Sequence, residues 1–180
     1  EAALAEQALD GDRLAAFVEA DLAQIRLRQG ASADALALAD RAVERLRARA
    51  GTSNMEYIAD VLQIRGQALR GLGQWDRAIA VLSEAHDMAR RLPGPSRIRA
   101  TTANNLATTL IYAGRGDDAL PFLERALDNW RGLDRADSTS ALTVMGNLAS
   151  LRHQRGDLAD AEALYRETIR RRVARYGDSG

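Results

Sequence analysis

Gly71-Leu72-Gly73-Gln74-Trp75-Asp76-Arg77-Ala78 is the stretch from which the organisation of the chain unfolds. Its frame, a glycine with an alanine five positions later, returns three times at a step of about 42 residues. The other copies are Arg28-Gln29-Gly30-Ala31-Ser32-Ala33-Asp34-Ala35, Tyr112-Ala113-Gly114-Arg115-Gly116-Asp117-Asp118-Ala119 and Gln154-Arg155-Gly156-Asp157-Leu158-Ala159-Asp160-Ala161. The glycines at 30, 73, 114 and 156 are separated by steps of 43, 41 and 42, and the alanines step identically. Seven positions beyond each alanine stands a second small residue: Ala42, Ala85, Ala126 and Thr168. Two registers that move together over four copies mark an internal repeat.

Before each glycine the apolar residues keep a helical spacing, as in Leu22 and Ile25, Leu62 and Leu69, Leu106 and Leu110, and Leu148 and Leu151. After it comes a second helical stripe, for example Ala119, Leu120, Leu123, Ala126 and Leu127. Glycine supplies the positive-φ residue that stops the first helix, and the Asp or Ser that follows is expected to cap the second. The recurring small residues lie about two turns apart on one face, where they let two helices close to ~8–10 Å. The unit is a helical hairpin. Neither of its helices buries an apolar face alone, so the hairpins must stack into a solenoid with a continuous core.

The pattern predicts first helices near 12–29, 54–72, 96–113 and 137–155, and second helices near 32–49, 75–91, 116–131 and 158–176. Breaks fall between copies at Gly51-Thr52-Ser53-Asn54, Pro93-Gly94-Pro95-Ser96 and Gly132-Leu133-Asp134-Arg135-Ala136-Asp137. The expected organisation is a single array over 1–180, with repeats at 12–50, 54–92, 96–132 and 137–176. Residues 3–9 carry the pattern of a second helix, with Ala8 standing 34 positions before Ala42, so 1–10 reads as the truncated helix of a preceding repeat. A chain that opens at Glu1 reads as a piece of a parent that extends in both directions.

Composition narrows the function classes. With 46% hydrophobic but only 4% aromatic residues and three prolines in 180, the chain has the make-up of an all-helical protein. It has no cysteine, which excludes disulfide, thiolate and thiolate-metal chemistry within it. All 25 basic residues are arginine, so Schiff-base and lysine general-base chemistry are absent too. Arginine and alanine enrichment fits a GC-rich, bacterial genome. A net charge of zero gives no bulk attraction to nucleic acid or an anionic membrane. No apolar run approaches the ~20 residues of a bilayer span, and the N-terminus lacks the form of a signal peptide. A cytoplasmic protein is expected.

These residues resemble the tetratricopeptide repeat (TPR) family, and the ~42-residue step resembles its long-helix subclass, seen in kinesin light chains and many bacterial regulators. Asn104-Asn105-Leu106-Ala107-Thr108-Thr109-Leu110 and Asn147-Leu148-Ala149-Ser150-Leu151 are similar to the first-helix motif of that subclass. The resemblance implies an all-α fold, a right-handed superhelical solenoid of antiparallel helix pairs. The family's aromatic after the turn glycine survives as Trp75 but is replaced by Ser32, Gly116 and Leu158, which predicts a looser third turn. Its first-helix glycine is present as Gly66 and is Ala23, Ala107 and Ala149 elsewhere.

In that family the first helices line a concave face that holds a protein or peptide. Carried over copy by copy, the face comprises Phe17, Asp21, Gln24 and Arg28, then Asp60, Gln63, Gln67 and Arg70. The third copy adds Thr101, Asn104, Asn105, Thr108 and Tyr112, and the fourth Thr143, Asn147, Ser150 and Gln154. Side-chain amides both donate and accept, so Asn104, Asn105 and Asn147 are expected to grip a peptide main chain, with Asp21, Asp60, Arg28 and Arg70 selecting its side chains. The family's carboxylate clamp needs basic residues where this chain has Ala20, Gln24, Gln63 and Gln67, so a receptor for acidic C-terminal tails does not fit.

Other signals give way to simpler readings. His86 and His153 have no partner at metal-ligand spacing and read as surface or boundary residues, so no metal and no cofactor are expected. Asp117, Asp118 and Asp157 complement the dipoles of second helices, and with no nucleophile or phosphate-loop motif the chain is read as no enzyme. Arg170, Arg171, Arg172 and Arg175 form a positive patch that suits a helix C-terminus; nucleic acid is the minority reading. The expected function is a protein- or peptide-binding scaffold within a larger bacterial signalling or regulatory protein. The alternative is a ligand-sensing or self-association module that controls an attached kinase, transcription activator or ATPase, with a homodimer formed through exposed end repeats.

Overall fold

A computed structural model describes residues 2–48 and 54–177, with side chains from residue 11 onward. Eight helices account for nearly all of these residues: α1 (Ala2–Arg28), α2 (Ser32–Arg47), α3 (Met55–Gly71), α4 (Trp75–Arg90), α5 (Arg97–Tyr112), α6 (Gly116–Gly132), α7 (Thr139–Gln154) and α8 (Leu158–Tyr176). No strand occurs among the described residues. The fold is all-α, and every helix bound lies within two residues of its sequence expectation except the start of α1. The break expected at 51–54 lies, apart from Asn54, outside the described residues.

The start of α1 is a correction. No turn separates 2–10 from the first repeat, because one helix runs without interruption from Ala2 to Arg28. Gly11 keeps a negative φ inside it. A glycine in a helix interior costs only about 1 kcal/mol, too little to stop a helix that no proline or reversed turn interrupts.

All four repeat turns have one geometry. Gly30, Gly73, Gly114 and Gly156 have φ of 77°, 72°, 75° and 84°. In each, the glycine N–H donates to the carbonyl three residues back, at 3.0 Å in every case (Leu27, Arg70, Ile111 and His153). The next N–H donates five residues back, from Ala31 to Arg26 at 2.9 Å, Gln74 to Leu69 at 2.9 Å, Arg115 to Leu110 at 2.8 Å and Asp157 to Arg152 at 3.0 Å. This is the Schellman motif, which uses up carbonyls that the end of a helix would otherwise leave unmet. The third turn is therefore no looser than the others, since the motif is made by backbone groups and does not need the missing aromatic.

Capping differs from expectation as well. The residues that open the second helices, Ala31, Gln74, Arg115 and Asp157, make no side-chain cap. The Schellman turn delivers them at ψ of 48–65°, away from the extended backbone from which a side chain reaches back to the helix. Two first helices are capped instead: Ser96 accepts from the Arg99 N–H and Ser138 from the Ala141 N–H, both at 3.2 Å.

The chain divides into two compact units, Glu1–Arg91 and Leu92–Gly180. In the first, α1 packs on α2, α2 on α3 and α3 on α4, and the first helices α1 and α3 also touch. The second unit repeats this arrangement with α5, α6, α7 and α8. The recurring alanines do what their spacing requires: Ala35, Ala78, Ala119 and Ala161, with Ala42, Ala85 and Ala126, are all buried. Around them, Val43 and Leu46 of α2 share one buried cluster with Ile58, Val61 and Leu62 of α3. Salt bridges trim the edges, as where Arg45 of α2 reaches Asp12 at 2.8 Å and Glu19 at 3.1 Å on α1.

A tight contact inside the hairpin is at Gly66, where an added Cβ would stand 2.5 Å from Cγ of the fully buried Leu82. Gly146, also inside a helix, has open space at the same point. Overpacking costs about 1–3 kcal/mol, whereas replacing a helical glycine by alanine gains about 0.5–1 kcal/mol. Gly66→Ala should therefore lower the unfolding free energy by up to about 2 kcal/mol, and Gly146→Ala should raise it slightly. Urea denaturation of the two variants checks both signs.

Candidate partner-binding face

In the second unit, α5 and α7 lie side by side. A step of 42 pairs Thr101 with Thr143, Asn105 with Asn147, Thr108 with Ser150 and Tyr112 with Gln154. Thr143, Tyr112 and Gln154 are exposed, and Thr101, Asn104, Asn105, Thr108, Asn147 and Ser150 are half-buried. Asn147 Nδ2 donates to Asn104 Oδ1 at 3.3 Å, so a carboxamide pair bridges the two helices. The bond is long for N–H···O, and one bond leaves each amide with donor and acceptor capacity in hand. Beside them, the buried Oγ1 of Thr108 has no hydrogen-bond partner among the described residues. The threonines behind the face, Thr102 and Thr109, turn inward and donate to Ile98 O and Asn105 O, both at 2.8 Å. That back-bonding lets hydroxyls occupy buried helix positions.

In the first unit the corresponding helices are α1 and α3, and the chemistry is different. Phe17 meets Tyr57 with ring centroids 4.8 Å apart and planes at 47°. The Arg13 guanidinium lies 5.5 Å from the first ring and 5.6 Å from the second, in cation–π range of both. Asp21 and Arg28 are exposed, and Gln24, Asp60, Gln67 and Arg70 are half-buried. Arg13 and Tyr57 escaped the sequence reading. The step of four from Arg13 through Phe17 to Asp21 would have found the arginine.

Two positions depart from expectation. Gln63 is buried, and its amide donates to Asp60 Oδ1 at 3.1 Å. The residues of its column, Ala20, Asn104 and Gly146, are half-buried, so Gln63 is buried more deeply than its equivalents. His86 is buried too, whereas His153 is exposed. Its column holds Val43, Leu127 and Ile169, so the imidazole occupies a core position.

Arginines and carboxylates elsewhere engage one another. Arg155 reaches Asp117 at 3.3 Å and Arg115 reaches Asp118 at 2.9 Å. Within the C-terminal basic patch, Arg170 and Arg171 both pair with Glu167, Arg171 also reaches Asp137 at 3.0 Å, and Arg175 donates to the Asp137 carbonyl at 3.1 Å. Hydrogen bonds from Thr139, and then Arg175, hold the Tyr176 phenol below its ordinary pKa. Among the described residues no group of three or more His, Asp or Glu could hold a metal ion, and no helix is long and apolar enough to cross a membrane.

Stacked hairpins with a polar first-helix face define a helical-repeat scaffold. The tetratricopeptide repeat family profile matches residues 57–131 and 98–172, and the chain belongs to that family. It is 26% identical over 167 residues to tetratricopeptide repeat protein 23 of Bos taurus, a match that covers 91% of this chain and 37% of that protein. The chain thus spans little more than a third of that relative's length. Among solved structures it is similar to BtubC (BKLC) from P. vanneervenii, with TM-score 0.75, 20% identity, and coverage of 96% of this chain and 72% of that one. Nearly identical TPR-like repeats of a Podosopora anserina kinesin light chain match with TM-score 0.71 and 17% identity over 88% and 75% of the two chains. A Rap protein complexed with Competence and Sporulation Factor matches with TM-score 0.73 and 14% identity, covering 94% of this chain and 44% of that one. At these identities the likeness speaks for the fold.

A buried amide and a face amide respond differently to truncation. Gln63→Ala strips Asp60 of a hydrogen bond and leaves a cavity, which should cost about 1–3 kcal/mol of stability. Gln24→Ala should stay within about 0.5 kcal/mol of the parent. Chemical denaturation compares them directly, and equal effects would contradict the assignment of Gln63 to the interior.

Proposed function

We propose that the first-helix faces bind a protein or peptide, with Asn104, Asn105 and Asn147 holding its main chain. The observation that carries this reading is the carboxamide pair of Asn104 and Asn147, half-buried and bridging α5 and α7 at 3.3 Å. A peptide backbone offers the alternating N–H and C=O groups that such amides complement without regard to sequence. The unmet Thr108 hydroxyl on the same face supports it, since a buried polar atom without a partner costs about 1–3 kcal/mol that a ligand would recover. Thr101, Tyr112, Ser150 and Gln154 border this main-chain site. In the first unit, Asp21, Asp60, Arg28 and Arg70, with Gln24 and Gln67, select side chains, and Arg13, Phe17 and Tyr57 add an apolar, cationic patch. Gln63 contributes by orienting Asp60.

The role is binding rather than catalysis. The Rap protein's complex with Competence and Sporulation Factor supports a peptide as ligand. The arginine-only, alanine-rich composition supports a bacterial source, and the greater length of the Bos taurus relative supports a place within a larger signalling or regulatory protein. A cytoplasmic location is part of the same reading.

The test is a peptide-display selection on the 180-residue chain, followed by calorimetry of the selected peptide. The double variant Asn104→Ala, Asn147→Ala should weaken binding at least about tenfold, since two hydrogen bonds at about 1 kcal/mol each are lost. Backbone N-methylation of the peptide should weaken it similarly. Unchanged affinity in both arms would reject main-chain recognition by these amides.

A further inference from the structure

Charge is sorted between the two kinds of helix in the second unit. The first helices α5 and α7, each 16 residues long, carry the amide face and contain no Asp or Glu. The second helices α6 and α8 hold four and three carboxylates. Every one of those carboxylates is in a salt bridge with an arginine. The arginines at the end of α7 turn toward them: Arg152 reaches Glu124 at 3.0 Å and Asp160 at 3.1 Å, and Arg155 reaches Asp117 at 3.3 Å. On α5 the charged residues are Arg97 and Arg99, both within the first three positions, and Arg97 stands four residues before Thr101. The first unit is unlike this, because its face sets Asp21 and Asp60 among Arg28 and Arg70 and so can answer a side chain of either sign.

Amides and hydroxyls hold a peptide main chain whatever its residues, but the side chains beside that main chain meet the charge of the helices around them. A lysine or arginine brought against the half-buried Asn105, Thr108 and Ser150 gives up hydrating water and finds no carboxylate on either helix. Asn104 Oδ1, which could accept from it, already accepts from Asn147 Nδ2 at 3.3 Å. An acidic side chain is better served. The Thr108 hydroxyl, without a partner among the described residues, can donate to it, and Arg97 stands at the amino end of the face.

We infer that the face of α5 and α7 discriminates by the sign of charge: the peptide segment it takes carries no lysine or arginine, whereas neutral and acidic side chains are accepted. The inference rests on the peptide-binding reading above and adds to it a filter that the amides themselves do not provide. Leaving a competitor's charge unpaired is a route to specificity that needs no added contact. At 1.5 Å per residue the face runs about 17 Å from Thr101 to Tyr112. That is the length of about five residues of extended chain, so the filter acts on a run of positions rather than on one.

The test scans a peptide selected by display on the 180-residue chain, replacing each position in turn by Lys, Glu and Gln and measuring affinity by calorimetry. Over one run of up to about five neighbouring positions, Lys should weaken binding at least about tenfold relative to Gln, and Glu should not. Thr143→Asp places a carboxylate at an exposed position of α7, and circular dichroism checks that it folds. That variant should recover most of the loss of the Lys-bearing peptides and weaken the Glu-bearing ones. Lys tolerated as well as Gln throughout, or equal losses for Lys and Glu, would overturn the filter, while the loss on Asn104→Ala with Asn147→Ala would still uphold main-chain recognition. If that double variant binds like the parent but the Lys-sensitive run and its rescue by Thr143→Asp remain, the amide assignment falls and the filter stands. A selection that yields no peptide overturns both.

Discussion

Everything else in this molecule follows from how closely two antiparallel helices approach across a column of alanines. Ala35, Ala78, Ala119 and Ala161 have no side chain beyond Cβ to hold the rods apart, and at Gly66 even a Cβ would intrude on Leu82. That approach needs the chain to reverse within two or three residues. Only a residue at positive φ does this without strain, which is why a glycine precedes each alanine by the same five positions. The close pair in turn sets the depth at which leucines such as Leu82 and Leu123 are buried, and the hairpin becomes the unit of packing.

Since second helices sit between first helices in the core, the residues left to vary lie largely on the outer faces of α1, α3, α5 and α7. The two units use that freedom differently. The first gathers an aromatic pair, a guanidinium and acids, whereas the second gathers amides and hydroxyls. One scaffold can therefore present sequence-dependent chemistry in one half and sequence-independent chemistry in the other without altering a core position.

The turns and helix bounds were legible in the sequence because their signals are local: a glycine needed at one dihedral angle, and small residues at a fixed distance from it. What was not legible depends on neighbours from other repeats. Gln63 and His86 look like surface residues in their own helices; the column of His86, shared with the buried Val43 and Leu127, assigns it to the interior, whereas that of Gln63, shared with the half-buried Ala20, Asn104 and Gly146, does not. The second-helix caps were misjudged for a related reason, since the Schellman turn fixes the backbone before any side chain can act. At the amino end, Gly11 has the same frame, with Ala16 five residues on and Ala23 seven beyond it, yet α1 runs straight through, so the glycine–alanine frame alone does not make a turn. The polar face was recognised through family resemblance, yet the bridging contact between Asn104 and Asn147 emerges only when α5 and α7 are set side by side.

The way α8 is fastened has a dynamic consequence. Of its 19 residues only Ala161 is buried, whereas each of the 16-residue helices α2 and α4 buries five. Local opening of a segment costs roughly the apolar contact and shielded backbone hydrogen bonding it gives up. Within the second unit as described, α8 is therefore the helix whose opening gives up least buried apolar contact, and its amides are expected to exchange with solvent ahead of those in α6 and α7.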